Sequence, residues 1–162
     1  MMHMMTDLAT PPLQWKLSLR VLIGQEMTLG RSREGNRANY PILGGDFTGD
    51  AIEGEILASG ADFFCQHADG TATLDARYSL KTSDGVLINI LNEGKMTFTE
   101  NGRKLVEECG IWPIPESAFR CECSPRFQAP AGRYHWLSER IFIGTVRYPE
   151  ADIVQIDCYV LD

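Results

Sequence analysis

The chain has 162 residues, 44% of them hydrophobic and 23% charged, and its 15 Lys and Arg against 22 Asp and Glu leave a formal charge of -7. An acidic balance with no run of Lys and Arg repels phosphate backbones, which excludes nucleic acid as an expected partner. This length suits one domain that hides roughly 70% of its unfolded surface, so a core forms without disulfide staples.

At the N-terminus, Met1 to Pro12 carries neither the positive flank nor the continuous apolar stretch of a secretory signal, and it reads as a disordered or loosely attached tail on a single domain spanning 13–162. The next stretch, Leu13 to Gly24, is interrupted by Gln14, Lys16, Ser18 and Arg20, so it does not supply the ~20 apolar residues of a membrane helix. A cytoplasmic location without membrane contact is the expectation. The odd cysteine count (Cys65, Cys109, Cys121, Cys123, Cys158) favours free thiols in a reducing compartment. Cys121 and Cys123 project from one strand face, but a zinc site needs two more ligands and neither His3, His67 nor His135 stands at a ligand spacing, so no metal is expected.

Period-two alternation of apolar and polar residues runs along the whole chain, while helical periodicity is almost absent. The first strand puts Leu13, Trp15, Leu17, Leu19 and Val21 on one face. Further strands are expected over 26–29, 38–43, 51–58, 62–67, 71–82, 86–92, 95–99, 120–128, 141–147 and 153–161. Asp69-Gly70, Asp84-Gly85 and Asn101-Gly102 place Asn or Asp before Gly, where positive φ is easily adopted, and Asn92-Glu93-Gly94 reads as a longer hairpin loop. Gly44 to Gly49 reads as a turn or bulge, since no helix follows for it to cradle a phosphate against. Lys104 to Cys109 is expected to form one or two helical turns, and Leu137 to Arg140 a turn that caps one mouth of a barrel. A long antiparallel meander leaves two open edges unless it curls shut. The fold expected is therefore all-β, a single antiparallel, calycin-like up-and-down barrel of about ten strands, with a two-sheet sandwich as the alternative.

The sequence holds no nucleophile elbow, phosphate loop or His-Glu-x-x-His motif. What it offers instead is charge inside strands. Along 73–81, Leu74, Ala76, Tyr78 and Leu80 alternate with Asp75, Arg77, Ser79 and Lys81. Facing water, the charged row is an ordinary solvated surface. Facing a lumen, Asp75 and Arg77 are a partly desolvated pair able to orient a ligand carbonyl or carboxylate. Asp62, before Phe63-Phe64, reads either as a turn cap or as an acid or base at a barrel mouth. Tyr134 and Trp136 read either as an aromatic wall or as a plug.

Gly44-Gly45-Asp46-Phe47-Thr48-Gly49, Gly60-Ala61-Asp62, Leu74-Asp75-Ala76-Arg77-Tyr78, Tyr134-His135-Trp136-Leu137, Phe142-Ile143-Gly144 and Asp157-Cys158-Tyr159 together resemble the domain of unknown function 3237 family. The resemblance runs from about Leu13 to the C-terminus and implies a small antiparallel calycin-like barrel, with no stated activity; residues 104–117 carry no landmark of it. The first functional reading is binding of a small apolar or aromatic molecule with a polar group, held by Asp62, Asp75, Arg77, Tyr78, Tyr134 and Trp136 and needing no cofactor. The second, by analogy of fold, is a cofactor-independent isomerase, cyclase or lyase in which Asp62 or Asp75 moves a proton. The third is assembly, with apolar strand faces packed against another copy in a homo-oligomer.

Overall fold

Short polar turns between alternating strands leave each strand its sequence neighbour as the nearest pairing partner, and every strand pair among the described residues is antiparallel. The computed structural model describes residues 8–162, and the part of the expected N-terminal tail before Leu8 lies outside the described residues. The strands are β1 (Leu13–Ile23), β2 (Met27–Arg31), β3 (Asn36–Gly49), β4 (Glu53–Ile56), β5 (Ala61–Gln66), β6 (Ala72–Thr82), β7 (Leu87–Phe98), β8 (Phe119–Gln128), β9 (Phe142–Glu150) and β10 (Ile153–Leu161). Two short helices, α1 (Glu100–Arg103) and α2 (Trp136–Glu139), follow β7 and precede β9.

The strands close into a ring. From β1 the order runs through β10, β9, β8, β7 and β6 to β4 and β5, then to β3, which pairs back onto β1. Strand β3 serves as the long spine: its first half pairs with β2 and β5, its second half with β1 and β4. Each short strand thus continues the place of another around the ring. The expected ring of about ten strands is the one observed.

The change of partners along β3 depends on Gly44 and Gly45, whose φ values of 153° and 130° are open to glycine and strained for other residues. Opposite them the register of β1 shifts between Leu22 and Ile23, so the glycine run is a bulge within a strand. A second shift, between Trp15 and Leu17, turns Leu13 and Trp15 to the outside, where they are 53% and 41% exposed. That corrects the single apolar face expected for the first strand. Asp69-Gly70 and Asp84-Gly85 turn as expected, with φ of 88° and 90° at the glycines. Asn92-Glu93-Gly94 does not turn: it runs straight through β7, paired with β6 on one side and β8 on the other. Asn101-Gly102 opens α1, where the Thr99 hydroxyl accepts a 3.0 Å hydrogen bond from the Gly102 N–H. One further turn of helix covers Lys104–Glu108, as its composition suggested.

The inside of the barrel divides into a filled half and a hollow half. In the filled half Leu17, Leu19, Phe47, Leu80, Ile88, Ile90, Phe142 and Val160 are fully buried. This end is plugged by the segment around α2. Leu137 is buried in the core, the Trp136 ring lies 6.3 Å from Phe142, and the Tyr134 hydroxyl donates a 2.7 Å hydrogen bond to Asp84 Oδ1 in the β6–β7 turn. A Cβ added at Gly45 would meet the Arg20 carbonyl oxygen at 2.0 Å, a clash with backbone in a conformation already unfavourable to alanine. Gly45→Ala is expected to lower stability by about 2 kcal/mol or more, read as a fall in the urea midpoint with an unchanged slope.

Candidate functional site

The hollow half is a cavity of about 600 Å³ lined mainly by apolar side chains from the inward faces of β1, β3, β5, β6, β7, β9 and β10. Its outer rim is formed by β2, the start of β3, and Val106 and Trp112 from the segment after α1. It lies at the end of the barrel away from the α2 plug, because it is lined by Leu74 and Phe98, at the opposite ends of β6 and β7 from the Asp84 turn.

Strand register places its polar groups. Tyr40 stands opposite Asp62, Asp62 opposite Ala76, and Ala76 opposite Asn92, and residues directly opposite in antiparallel strands share a face. These four therefore make one row across β3, β5, β6 and β7, and all four line the cavity. The methyl of Ala76 leaves room between two polar neighbours that stand about 10 Å apart across two strand spacings.

Asp62 is the charge inside this row. Between Asp62–Ala76 and Cys65–Thr73 the β5–β6 ladder opens, and the Asp75 N–H donates instead to Asp62 Oδ1 at 2.9 Å. Among the described residues no hydrogen bond reaches Oδ2. Burial pushes the carboxyl up to about 6, the Asp75 charge adds to the rise, and the Asp75 N–H opposes it. Across the barrel stands Tyr148, whose hydroxyl has a thiol neighbour in Cys121 and is raised well above the ordinary tyrosine range by burial and then by the Cys121 and Asp62 charges. Its ring packs edge-on to Trp112 with centroids 4.8 Å apart, while Tyr40 and Phe64 make a second edge-on pair at 5.7 Å. The Tyr40 hydroxyl donates to Glu26 Oε1 at 2.6 Å near the rim. At the cavity floor Tyr78 Oη and Asn92 Oδ1 are enclosed and, among the described residues, have no hydrogen-bond partner.

Of the residues singled out from the sequence, Asp62 and Tyr78 line the cavity. Asp75 and Arg77 do not. They lie on the outer face of β6 as a 3.4 Å ion pair with side chains 34% and 60% exposed, because the inward parity of this strand belongs to Leu74, Ala76, Tyr78 and Leu80. The expectation that this pair faces a lumen is corrected, and an exposed pair of this kind contributes at most about 1 kcal/mol. Tyr134 and Trp136 sit at the plugged end and do not join Asp62. Cys121 and Cys123 share the inward face of β8, where burial raises their thiols to about 12 and about 11, so they are protonated and weak as nucleophiles or ligands. Among the described residues no third metal-binding group joins them.

The sequence reading passed over Tyr40, Asn92, Trp112 and Tyr148. Asn92 was hidden by its resemblance to a turn. Tyr148 continues the alternation Phe142, Gly144, Val146 on β9, which is the sequence signal for its inward face.

A buried acid whose pKa rises on folding binds its proton more tightly in the folded than in the unfolded chain. Its contribution to stability is present at low pH and is lost as pH rises from about 4 to about 6. Asp62→Asn keeps an acceptor for the Asp75 N–H and removes the charge, so the variant is expected to be more stable than the parent by about 1–3 kcal/mol near pH 8 and equal to it near pH 4, as measured by urea unfolding at both values.

Residues 11–161 match the family described as protein of unknown function (DUF3237). A UPF0311 protein of Rhodopseudomonas palustris strain TIE-1 is 33% identical over 153 residues, covering 93% of this chain and 97% of the relative. Among solved structures, a conserved protein of unknown function from Rhodopseudomonas palustris superposes with a TM-score of 0.85 at 27% identity, over 96% of this chain and 100% of the other. A protein from Acinetobacter baumannii described as β-barrel-like gives 0.79 at 27% identity, over the same shares. A structure described as an enzyme from Penicillium herquei gives 0.70 at 21% identity, over 96% of this chain and 98% of the other, a likeness of fold alone. Ring closure, the glycine bulge on the spine strand and the half-hollow interior are thus features of a chain that belongs to the DUF3237 family of β-barrel-like UPF0311 proteins.

Proposed function

We propose that the protein binds a small apolar or aromatic molecule carrying a polar group, held inside the barrel with that group beside Asp62. The observation that carries this reading is the cavity itself. A barrel of this size ordinarily fills its interior with side chains or leaves room for one ligand, and here one half is filled while the other keeps about 600 Å³ open. Asp62 and Tyr148 supply polar contacts, and the aromatic pairs Tyr40–Phe64 and Trp112–Tyr148 supply flat apolar walls. Asp75, Arg77, Tyr134 and Trp136, lying elsewhere, take no part.

Ala76 is the position that tests this reading. Its replacement by phenylalanine fills the gap between Asp62 and Asn92 while leaving every polar group in place. Bicyclic aromatic compounds screened by thermal shift are expected to raise the melting temperature of the parent by about 5 °C or more at saturating concentration, and to leave Ala76→Phe unmoved. A parent that no member of the panel stabilises would remove the proposal.

A second reading, proton transfer, is favoured by one observation: among the described residues nothing hydrogen-bonds Asp62 Oδ2 in this apolar cavity, and burial, which pushes the carboxyl up to about 6, suits it to act as a base at neutral pH. In that role Oδ2 takes a proton from the carbon beside a substrate carbonyl, the C–H pair moves toward the carbonyl oxygen, and the enolate accepts a hydrogen bond from the Tyr148 hydroxyl. Return of the proton to the same or another carbon completes an exchange or isomerisation without a cofactor. The test is α-deuterium exchange of 2-tetralone in D₂O followed by NMR. Exchange that rises with pH through about 6 and falls at least about tenfold in Asp62→Asn supports it, and exchange no faster than in buffer sinks it.

A further inference from the structure

We infer that the polar group this cavity selects is an organic cation, a protonated amine on an aromatic or alicyclic body, received by the Asp62 carboxylate among aromatic faces. The inference rests on the binding proposal above and names the chemical class of its ligand. Three observations carry it. First, Asp62 Oδ2 has no hydrogen-bond partner among the described residues, and its Oδ1 is served only by a neutral backbone N–H. A desolvated carboxylate without a counter-charge calls for one, and burying it against another anion costs far more. Second, among the described residues the single basic side chain lining the cavity is Arg37, three residues along β3 from Tyr40 and so about 10 Å toward the rim, where it lies 3.6 Å from Glu34. Glu26 stands at that same rim, so a ligand entering the barrel passes one acid and meets another. Third, Tyr40, Phe64, Trp112 and Tyr148 present ring surfaces to the same space, and such faces attract an ammonium group through the negative quadrupole of the ring.

Among the described residues a carboxylate ligand finds no basic side chain beside Asp62 to neutralise it. It would sit beside Asp62 with hydroxyls and thiols as its remaining polar neighbours. An alcohol finds an acceptor in Asp62 but leaves its charge unneutralised.

The pH dependence follows from the groups that face Asp62. These are Tyr40 on β3, Tyr78 on β6, Cys121 and Cys123 on β8 and Tyr148 on β9, with the outward carboxylate of Asp75 on the adjoining strand and Glu26 at the rim. These tyrosines and thiols are all raised, and Glu26 is held low by its hydrogen bonds from Thr28 and Tyr40, whereas the Asp62 carboxyl is pushed up to about 6. Amine binding needs the ionised carboxylate. It therefore strengthens as pH rises through about 6 and weakens below it, where a bound amine must displace a proton.

The experiment is isothermal titration of the full chain with three compounds of one shape: 2-naphthylmethylamine, 2-naphthylmethanol and 2-naphthylacetate. At about pH 7.5 the amine is expected to bind at least about tenfold more tightly than the alcohol, and the carboxylate more weakly than either. Lowering the pH to about 5 is expected to weaken the amine about tenfold and to leave the alcohol nearly unchanged. Asp62→Asn is expected to lose both the preference for the amine and its pH dependence while still binding the alcohol. The pH arm uses the parent protein alone, so the inference stays open to refutation even if the variant folds poorly. An alcohol that matches the amine, or amine binding indifferent to pH between these values, overturns the inference and leaves the binding proposal standing. Failure of all three compounds to bind removes both.

Discussion

Closure of the ring is the constraint on which everything else in this molecule depends. A strand has two faces, and once the sheet curls shut one of them is committed to an enclosed space while the other meets solvent. Neighbouring residues are thereby separated as completely as distant ones. Asp75 holds an exposed Arg77 on the outside of β6, whereas Ala76, the next residue, forms part of the inner row between Asp62 and Asn92. The same closure leaves few edges for pairing with other chains, since β3 is covered along its length by four shorter partners.

Inside the ring, side-chain volume decides what is core and what is cavity. Leu, Ile and Phe fill the half nearest the α2 plug. Toward the other end the inner positions include Ala38, Ala76, Gly94 and Gly144, and residues of this size cannot meet across the lumen. Gly144 shows how tightly the boundary is set, for a Cβ there would lie 2.5 Å from Cys123 Sγ. Tyr78 and Asn92 form the floor at this boundary, and among the described residues neither their enclosed polar atoms nor one oxygen of Asp62 above them has a hydrogen-bond partner.

The electrostatics of the site follow from that packing. Burial raises the Asp62 carboxyl into the range where a proton is readily gained or lost near neutrality, while the same burial pushes the Cys121 and Cys123 thiols and the Tyr148 hydroxyl further up from their ordinary values. In the binding proposal Asp62 recognises a ligand by its charge, and in the proton-transfer proposal the same carboxylate acts as the base. The two proposals thus draw on one carboxylate and differ in what is placed against it.

Local pattern determined a good deal of this. Period-two alternation with Asp-Gly turns established an all-β antiparallel chain of about ten strands, because alternation reports directly which residues share a face and tight turns force neighbours to pair. The apolar face of β6 was legible for the same reason, as were the helical turns after β7 and before β9. Placement across strands was decided by the tertiary structure. Asn92-Glu93-Gly94 has the composition of a turn, yet pairing on both sides holds it as strand and points Asn92 inward. Tyr134 and Trp136 read equally as wall or plug until the end of the barrel they occupy is known. Asp62 and Asp75 were alike as candidates, since each is an Asp in or beside a strand. Only register, which sets Asp62 opposite Ala76 and turns Asp75 away, makes one the charge of the cavity and the other part of the surface.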